Sequence, residues 1–262
     1  MVYFMTKEEF LNFKKQNLTN KEIGKKFNLT ERQVSIRTKA WGLNYSNKKA
    51  LNEQFFSSIT KAAFYWAGFI AADGWIEPDR DRLGLALQSA DIGHLIKFKT
   101  AIAAEHEICP FMSGSAYRIR FNSAKIVRDL NSLFNITGAK TFTYRMPYFE
   151  DDYLMYEFFR GYIEGDGHLE KTSSGKVVLH LCSANKSFLE EFKSICELML
   201  NRSISQLVTL QINKKGSVYA IRFNIKDSFE LITLLYKNST EETRLDRKYK
   251  IASLVLDKGI VH

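Results

Sequence analysis

Asp73 and Asp166 stand in matching surroundings, each closing an apolar nonapeptide one residue before a glycine: Trp66-Ala-Gly-Phe-Ile-Ala-Ala-Asp-Gly74 and Phe159-Arg-Gly-Tyr-Ile-Glu-Gly-Asp-Gly167. One such Asp-Gly is an ordinary helix end and turn. Its doubling asks for another reason. If both segments are helical, each carboxylate lies in a last turn, facing the negative end of the helix macrodipole. Two acids at adjacent helix ends also repel each other. A pair of hard divalent cations relieves both strains, because such ions take carboxylate and carbonyl oxygens as ligands. Gly68 with Ala72, and Gly161 with Gly165, lie four residues apart on one helix stripe, which predicts two helices in near backbone contact. Gly74 and Gly167 are expected to end them in the left-handed C′ conformation.

The elements that hold these acids repeat as well. Residues 83–99 (LGLALQSADIGHLIKFK) are answered by 178–193 (VLHLCSANKSFLEEFK), and Tyr117-Arg-Ile-Arg-Phe-Asn122 by Tyr219-Ala-Ile-Arg-Phe-Asn224. Two copies in one internal order imply a pseudo-twofold molecule. Each copy reads as helix, strand pair, helix, strand pair, helix, an α+β arrangement. In Arg82–Gln88, Leu83, Leu85 and Leu87 share one face and Arg82, Gly84, Ala86 and Gln88 the other. Lys176–Cys182 alternates likewise, as do Tyr117, Ile119 and Phe121 against Arg118 and Arg120. One face feeds a core; the other is polar and partly basic.

Both nonapeptides resemble the LAGLIDADG motif, and the likeness to the LAGLIDADG homing endonucleases runs over about residues 60–260. The resemblance implies two αββαββα halves whose sheets form a saddle over DNA, with the motif helices at the centre. It makes Asp73 and Asp166 the catalytic and metal-binding acids, one for each strand, with the backbone of Ala72 and Gly165 beside them. It places Asp91 and Asn185 where solvent is organised and makes Lys140 and Lys248 the basic residues of the centre, Arg247 competing with Lys248. Ala71 departs from the usual acid at position six, and Arg160 replaces a small residue at position two. Arg160 is therefore expected to turn outward from the helix interface.

The chain has 262 residues, 45% hydrophobic and 26% charged, enough for a real core. Its longest apolar run, Ala62–Ala72, is too short to span a bilayer. No membrane span is expected, and the polar start without a cleavable apolar segment suggests an intracellular protein of cytoplasm, nucleoid or organelle. Cys109, Cys182 and Cys196 form no C-x-x-C pair and fit neither a disulfide framework nor a zinc site. Of the net charge of +9, residues 1–50 supply a surplus of seven. There Asn20–Phe27 carries Ile23 and Phe27, and Glu31–Trp41 carries Val34, Thr38 and Trp41, at helical spacing, with Thr19 or Asn20 and Thr30 as caps and Gly42 as terminator. The stretch resembles a homeodomain-like helix-turn-helix, whose second helix enters the major groove. Arg32, Gln33, Ser35, Arg37 and Lys39 are free to point outward from it.

These readings divide the chain into a helix-turn-helix domain (1–45), a basic linker (46–60) and two LAGLIDADG repeats (61–150 and 151–262). They predict a monomeric, site-specific double-strand DNA endonuclease leaving 3′ overhangs. It would use two or more Mg²⁺ ions, Mn²⁺ substituting and Ca²⁺ supporting binding only. A long duplex site would be read by Arg32, Gln33, Arg37 and Lys39 and, on the saddle, by Gln88, Arg118, Arg120, Lys176 and Arg222. The alternatives are a catalytically silent regulator on the same scaffold and an RNA-splicing maturase.

Overall fold

A computed structural model of the chain describes residues 5–16, 18–43, 49–213 and 216–257. The chain divides into two compact units, Met1–Lys49 and Ala50–His262. No helix among the described residues is long and apolar enough to cross a membrane.

The first unit packs α1 (Lys7–Lys15), α2 (Asn20–Lys26) and α3 (Glu31–Ala40) around Met5, Phe10, Ile23 and Val34. Every helix starts at a threonine whose hydroxyl accepts from the third helical N–H while that residue's side chain accepts from the threonine N–H: Thr6 with Glu9, Thr19 with Glu22, Thr30 with Gln33. Asn28 turns the chain between α2 and α3 at φ +54°. The turn closes by a bond from Leu29 N–H to the Gly24 carbonyl (2.8 Å), so near that a Cβ on Gly24 would lie 2.5 Å from the Leu29 carbonyl oxygen.

The second unit holds the two copies. The first is α4 (Lys61–Asp73), β1 (Gly74–Glu77), β2 (Arg82–Gln88), α5 (Ile92–Ala101), β3 (Cys109–Phe111), β4 (Ala116–Asn122), α6 (Ala124–Phe134) and the short α7 (Lys140–Thr143). The second is α8 (Asp152–Gly165), β5 (His168–Lys171), β6 (Val177–Ser183), α9 (Lys186–Leu200), β7 (Thr209–Asn213), β8 (Gly216–Arg222), α10 (Ile225–Tyr236) and α11 (Asp246–Leu256). Each copy forms a four-stranded antiparallel sheet, ordered β1-β2-β4-β3 and β5-β6-β8-β7. The period-two pattern sets the register: Leu85 pairs with Ile119 and Leu181 with Ile221, all four fully buried. Both inner faces join one core.

α4 and α8 run through that core in direct contact. A Cβ on Gly68 would strike the Phe158 carbonyl oxygen, one on Gly161 the Tyr65 carbonyl oxygen, and one on Gly165 the Ala72 methyl. Both predicted stripes meet here. Gly74, by contrast, is extended (φ −78°), and Gly167 is absent from the positive-φ glycines. The expected left-handed endings are corrected: these glycines are required because a Cβ would press on Ile70 or Ile163. The expected linker needs correction too. Its residues 46–48 lie outside the described ones, but Ala50 donates to Glu105 (2.8 Å) and Asn52 to the Ile102 carbonyl (2.9 Å), while Phe55 and Phe56 are buried against the core. Apolar side chains draw this stretch onto the second unit.

Arg160 does not turn outward. It is 1% exposed, paired with Glu157, donating to the carbonyls of Leu235 (3.1 Å) and Thr243 (3.0 Å) and lying over the Tyr65 ring. A buried guanidinium is tolerable only when its charge and N–H groups are met in this way. Next to it Tyr65 donates to Glu164, which also accepts from Leu245 N–H (2.7 Å). Since the phenol proton is spent there, His94 Nε2, 2.9 Å away, donates to the Tyr65 oxygen.

The close approach of α4 and α8 predicts that Gly161→Leu destabilises the protein by more than about 2 kcal/mol, well beyond a surface substitution. Chemical denaturation measures this, and an unchanged midpoint would show that the helices do not meet at Gly161.

Candidate active site

Because α4 and α8 abut along their glycine stripes, their C-terminal ends emerge side by side. Asp73 is the last residue of α4, and Asp166 caps α8. Position 165 lies against both Ala72 and the Asp73 carboxyl. Asp73 is half-buried; Asp166 is the more open. Burial first, then the charge of Asp166, raises the Asp73 carboxyl from the usual 3.8 to about 6, against the pull of Lys248, Lys140 and Arg247. Asp166 is raised as well, through hydration lost on its inner side, but Lys140, a hydrogen bond from Tyr162 (3.4 Å) and Lys248 hold it back.

The candidate lysines close the helix ends. Lys140 donates to the carbonyls of Ile70 (2.6 Å), Ala71 (2.6 Å) and Ala72 (3.1 Å); Lys248 donates to those of Ile163 (2.8 Å), Gly165 (3.1 Å) and Gly167 (2.5 Å). Ala71, Ala72 and Gly165 are among the orphan acceptors of the helix C-termini, Ile70 and Ile163 also accept from the Gly74 and Gly167 N–H groups, and the ammonium groups oppose the dipoles. Burial lowers both lysines to about 8, the neighbouring acids counteracting it and Arg247 adding to it at Lys248. Arg247, the alternative to Lys248, instead donates Nε to both oxygens of Asp91 (3.0 and 2.8 Å). Asn185 caps α9, accepting from Phe188 N–H (3.1 Å) and donating to the Tyr144 carbonyl (2.9 Å).

Asn185, Lys140, Tyr162 and Asp166 line a cavity of about 290 Å³ with Cys182 and Ser183. The donor set of the centre is two carboxylates and the backbone oxygens of Ala72 and Gly165. No group of three or more His, Cys, Asp or Glu side chains is placed to hold an ion among the described residues. The two acids and carbonyls fit a hard divalent ion of the Mg²⁺ type, which binds through one or two carboxylates and completes its shell with water and phosphate oxygens. Each carbonyl bonded by a lysine keeps a second lone pair.

The basic residues of the outer faces are placed unevenly. Gln88, Arg120 and Lys176 are exposed. Arg118 is half-buried with its guanidinium 4.6 Å over the Phe111 ring, and Arg222 is paired with Glu170 (2.5 Å). Arg118 and Arg120 share the outer face of the first sheet with Gln88; Arg222 lies opposite His180 on the second. In the first unit Arg32 and Lys39 are exposed and Arg37 half-buried. Gln33 is exposed, but its carbonyl oxygen is taken by Thr30 N–H (2.9 Å). The Tyr162 hydroxyl and the Arg247–Asp91 pair were not anticipated. Tyr162 lies four residues before Asp166, a legible spacing that Phe69 in the first copy obscures, whereas Arg247 and Asp91 are 156 residues apart.

Residues 154–230 match the profile of a family described as LAGLIDADG-like domain. Among curated protein sequences none matches. Of solved structures, full-length DUF199/WhiA from Thermatoga maritima is similar at 14% identity and a TM-score of 0.48, over 79% of this chain and 65% of that one; this chain thus spans about two thirds of its length. The I-LtrWI LAGLIDADG homing endonuclease bound to target DNA is similar at 13% identity, TM-score 0.48, over 80% of this chain and 92% of that one. I-DmoI in complex with DNA and Ca is similar at 15% identity, TM-score 0.48, over 78% and 98%. Within the matched residues 154–230 lie Asp166, Tyr162, Lys176, Asn185 and Arg222.

The raised Asp73 carboxyl has a signed consequence. Its folded form holds a proton more tightly than the unfolded chain, so its stabilising contribution is present below pH 3.8 and is lost as pH rises through about 6. In EDTA, Asp73→Asn therefore stabilises the protein at pH 8 by about 1–2 kcal/mol, after discounting for partial exposure, and the gain shrinks as pH falls below 6. Urea titrations at pH 8 and 4.5 check this; equal gains at both would contradict it.

Proposed function

We propose that the second unit is a metal-dependent, site-specific DNA endonuclease acting as a pseudo-symmetric monomer. The observation that carries this reading is the pair of acids at abutting helix ends, each with a lysine sealing the helix behind it. Nothing in the packing of α4 against α8 requires two carboxylates there, and their ionisation is opposed by burial and mutual repulsion. A bound Mg²⁺ would polarise the phosphodiester and make its water a nucleophile near neutral pH. Asp73 and Asp166 hold the cation site. Lys140 and Lys248 fix the helix ends and add positive charge close to the scissile phosphates, and Asp91 and Asn185 border the solvent of the centre. In the reaction an oxygen–phosphorus bond forms from water and the bond from phosphorus to O3′ breaks. The water loses a proton to solvent and O3′ gains one, leaving a 5′-phosphate and a 3′-hydroxyl. Two such centres straddling a minor groove yield staggered 3′ overhangs.

Gln88, Arg118, Arg120, Lys176 and Arg222 would contact bases and phosphates from the sheet faces. Residues 1–45 would act as a helix-turn-helix anchor through Arg32, Gln33, Arg37 and Lys39, residues 46–48 beginning the connection to repeats 61–150 and 151–262. A second reading, DNA binding without cleavage, draws on one observation: the lysines already supply the helix ends with positive charge without any ion.

Asp73→Asn and Asp166→Asn should each abolish double-strand cleavage in Mg²⁺ while leaving duplex affinity within about tenfold. Mn²⁺ should support cutting, and Ca²⁺ binding alone. Gel assays on a duplex enriched from a randomised pool measure both; full cleavage by either variant would refute the assignment.

Removing residues 1–48, which leaves the Ala50–Glu105 bond intact, should weaken duplex binding and flatten its salt dependence while cleavage at saturating protein persists. Equal affinity and equal salt slope for the two proteins would mean that the first unit does not touch DNA.

A further inference from the structure

We propose that the two centres are unequal by construction: the Asp166 side cuts its strand first, with Tyr162 as the positioning residue of that side. The inference rests on the endonuclease reading above.

The two copies set like against unlike at three places. Tyr162 corresponds to Phe69, Asn185 to Asp91, and Ala139, just before Lys140, to Arg247, just before Lys248. On the second side Tyr162 donates to Asp166 Oδ2 one helical turn ahead (3.4 Å). Its ring is locked, parallel to Tyr144 and packed on Phe188 (4.9 Å), while Tyr144 is itself tied to the Phe134 carbonyl (3.2 Å). That contact biases the carboxylate toward one orientation, and Asp73 has no phenol at the same spacing. Beside Asp166 lies the cavity of about 290 Å³, which Lys140, Tyr162, Ser183 and Asn185 line. At roughly 30 Å³ per liquid water, it holds several waters with polar partners.

On the first side the counterparts of Ala139 and Asn185 pair with each other. Arg247 grips both oxygens of Asp91, so that acid is not available to solvent until the arginine leaves. The Arg247 side chain is 54% exposed and close to the face DNA would cover, so a phosphate can draw it away. That exchange is an added step for one strand only.

The test uses a duplex enriched by binding from a randomised pool, each strand end-labelled differently, under single turnover in Mg²⁺. The wild-type protein should cut one strand about tenfold faster and accumulate a nicked intermediate. Tyr162→Phe should slow the fast strand about fivefold, the scale of one ordinary hydrogen bond, and leave the slow strand unchanged. Arg247→Ala should speed the slow strand. Metal-free duplex affinity and melting temperature of Tyr162→Phe should match the wild type, separating positioning from a structural role. Equal strand rates in the wild type, or Tyr162→Phe slowing both strands alike, would overturn the inference and leave the endonuclease reading standing. A duplex bound but cut on neither strand in Mg²⁺ or Mn²⁺ would overturn both.

Discussion

Everything in the second unit follows from the contact between α4 and α8. Two helices touching through Gly68, Gly161 and Gly165 lie too close for a side chain at any of the three, since a Cβ there would overlap a carbonyl oxygen or the Ala72 methyl. The two sheets are attached to these helices through β1 and β5, so the same contact fixes where both sheets lie. Because both helices stop at their motif acids, it also fixes where Asp73 and Asp166 come together.

That geometry carries an electrostatic cost, and much of the remaining site is its compensation. Two helix C-termini and two carboxylates concentrate negative charge in a small, partly dehydrated space. Lys140 and Lys248 answer it from sequence-distant segments, each reaching three carbonyls at the end of its own motif segment. Arg247 adds further positive charge nearby. Even so, burial and the charge of Asp166 leave the Asp73 carboxyl raised to about 6. A divalent cation among these hard oxygens would offset both the dehydration and the repulsion.

Much of this was legible in the sequence because it repeats. Period-two leucines in Arg82–Gln88 and their counterparts in the second copy gave the strands, and the small-residue stripes gave the helix contact. What the sequence hid depends on long-range pairing. Arg160 reads as a misfit in a helix stripe until Glu157, Leu235 and Thr243 are brought around it. Phe55 and Phe56 read as part of a polar linker because their partners lie far along the chain. The role of Lys140 and Lys248 as helix-end caps was likewise invisible, since a lysine's reach to carbonyls some 70 to 85 residues away leaves no local signal. Gly74 and Gly167 were read as left-handed turns because that is the commoner reason for a glycine there; close approach is the other.

The central claim is that the abutting ends of α4 and α8 form a divalent-cation site on DNA. The most direct measurement is anomalous diffraction from crystals of the protein with a bound duplex grown in Mn²⁺. The account predicts ion density within coordination distance of the carboxylates of both Asp73 and Asp166, with phosphate oxygens completing the shell. A well-ordered duplex over these helix ends, with no anomalous density at either acid, would contradict it.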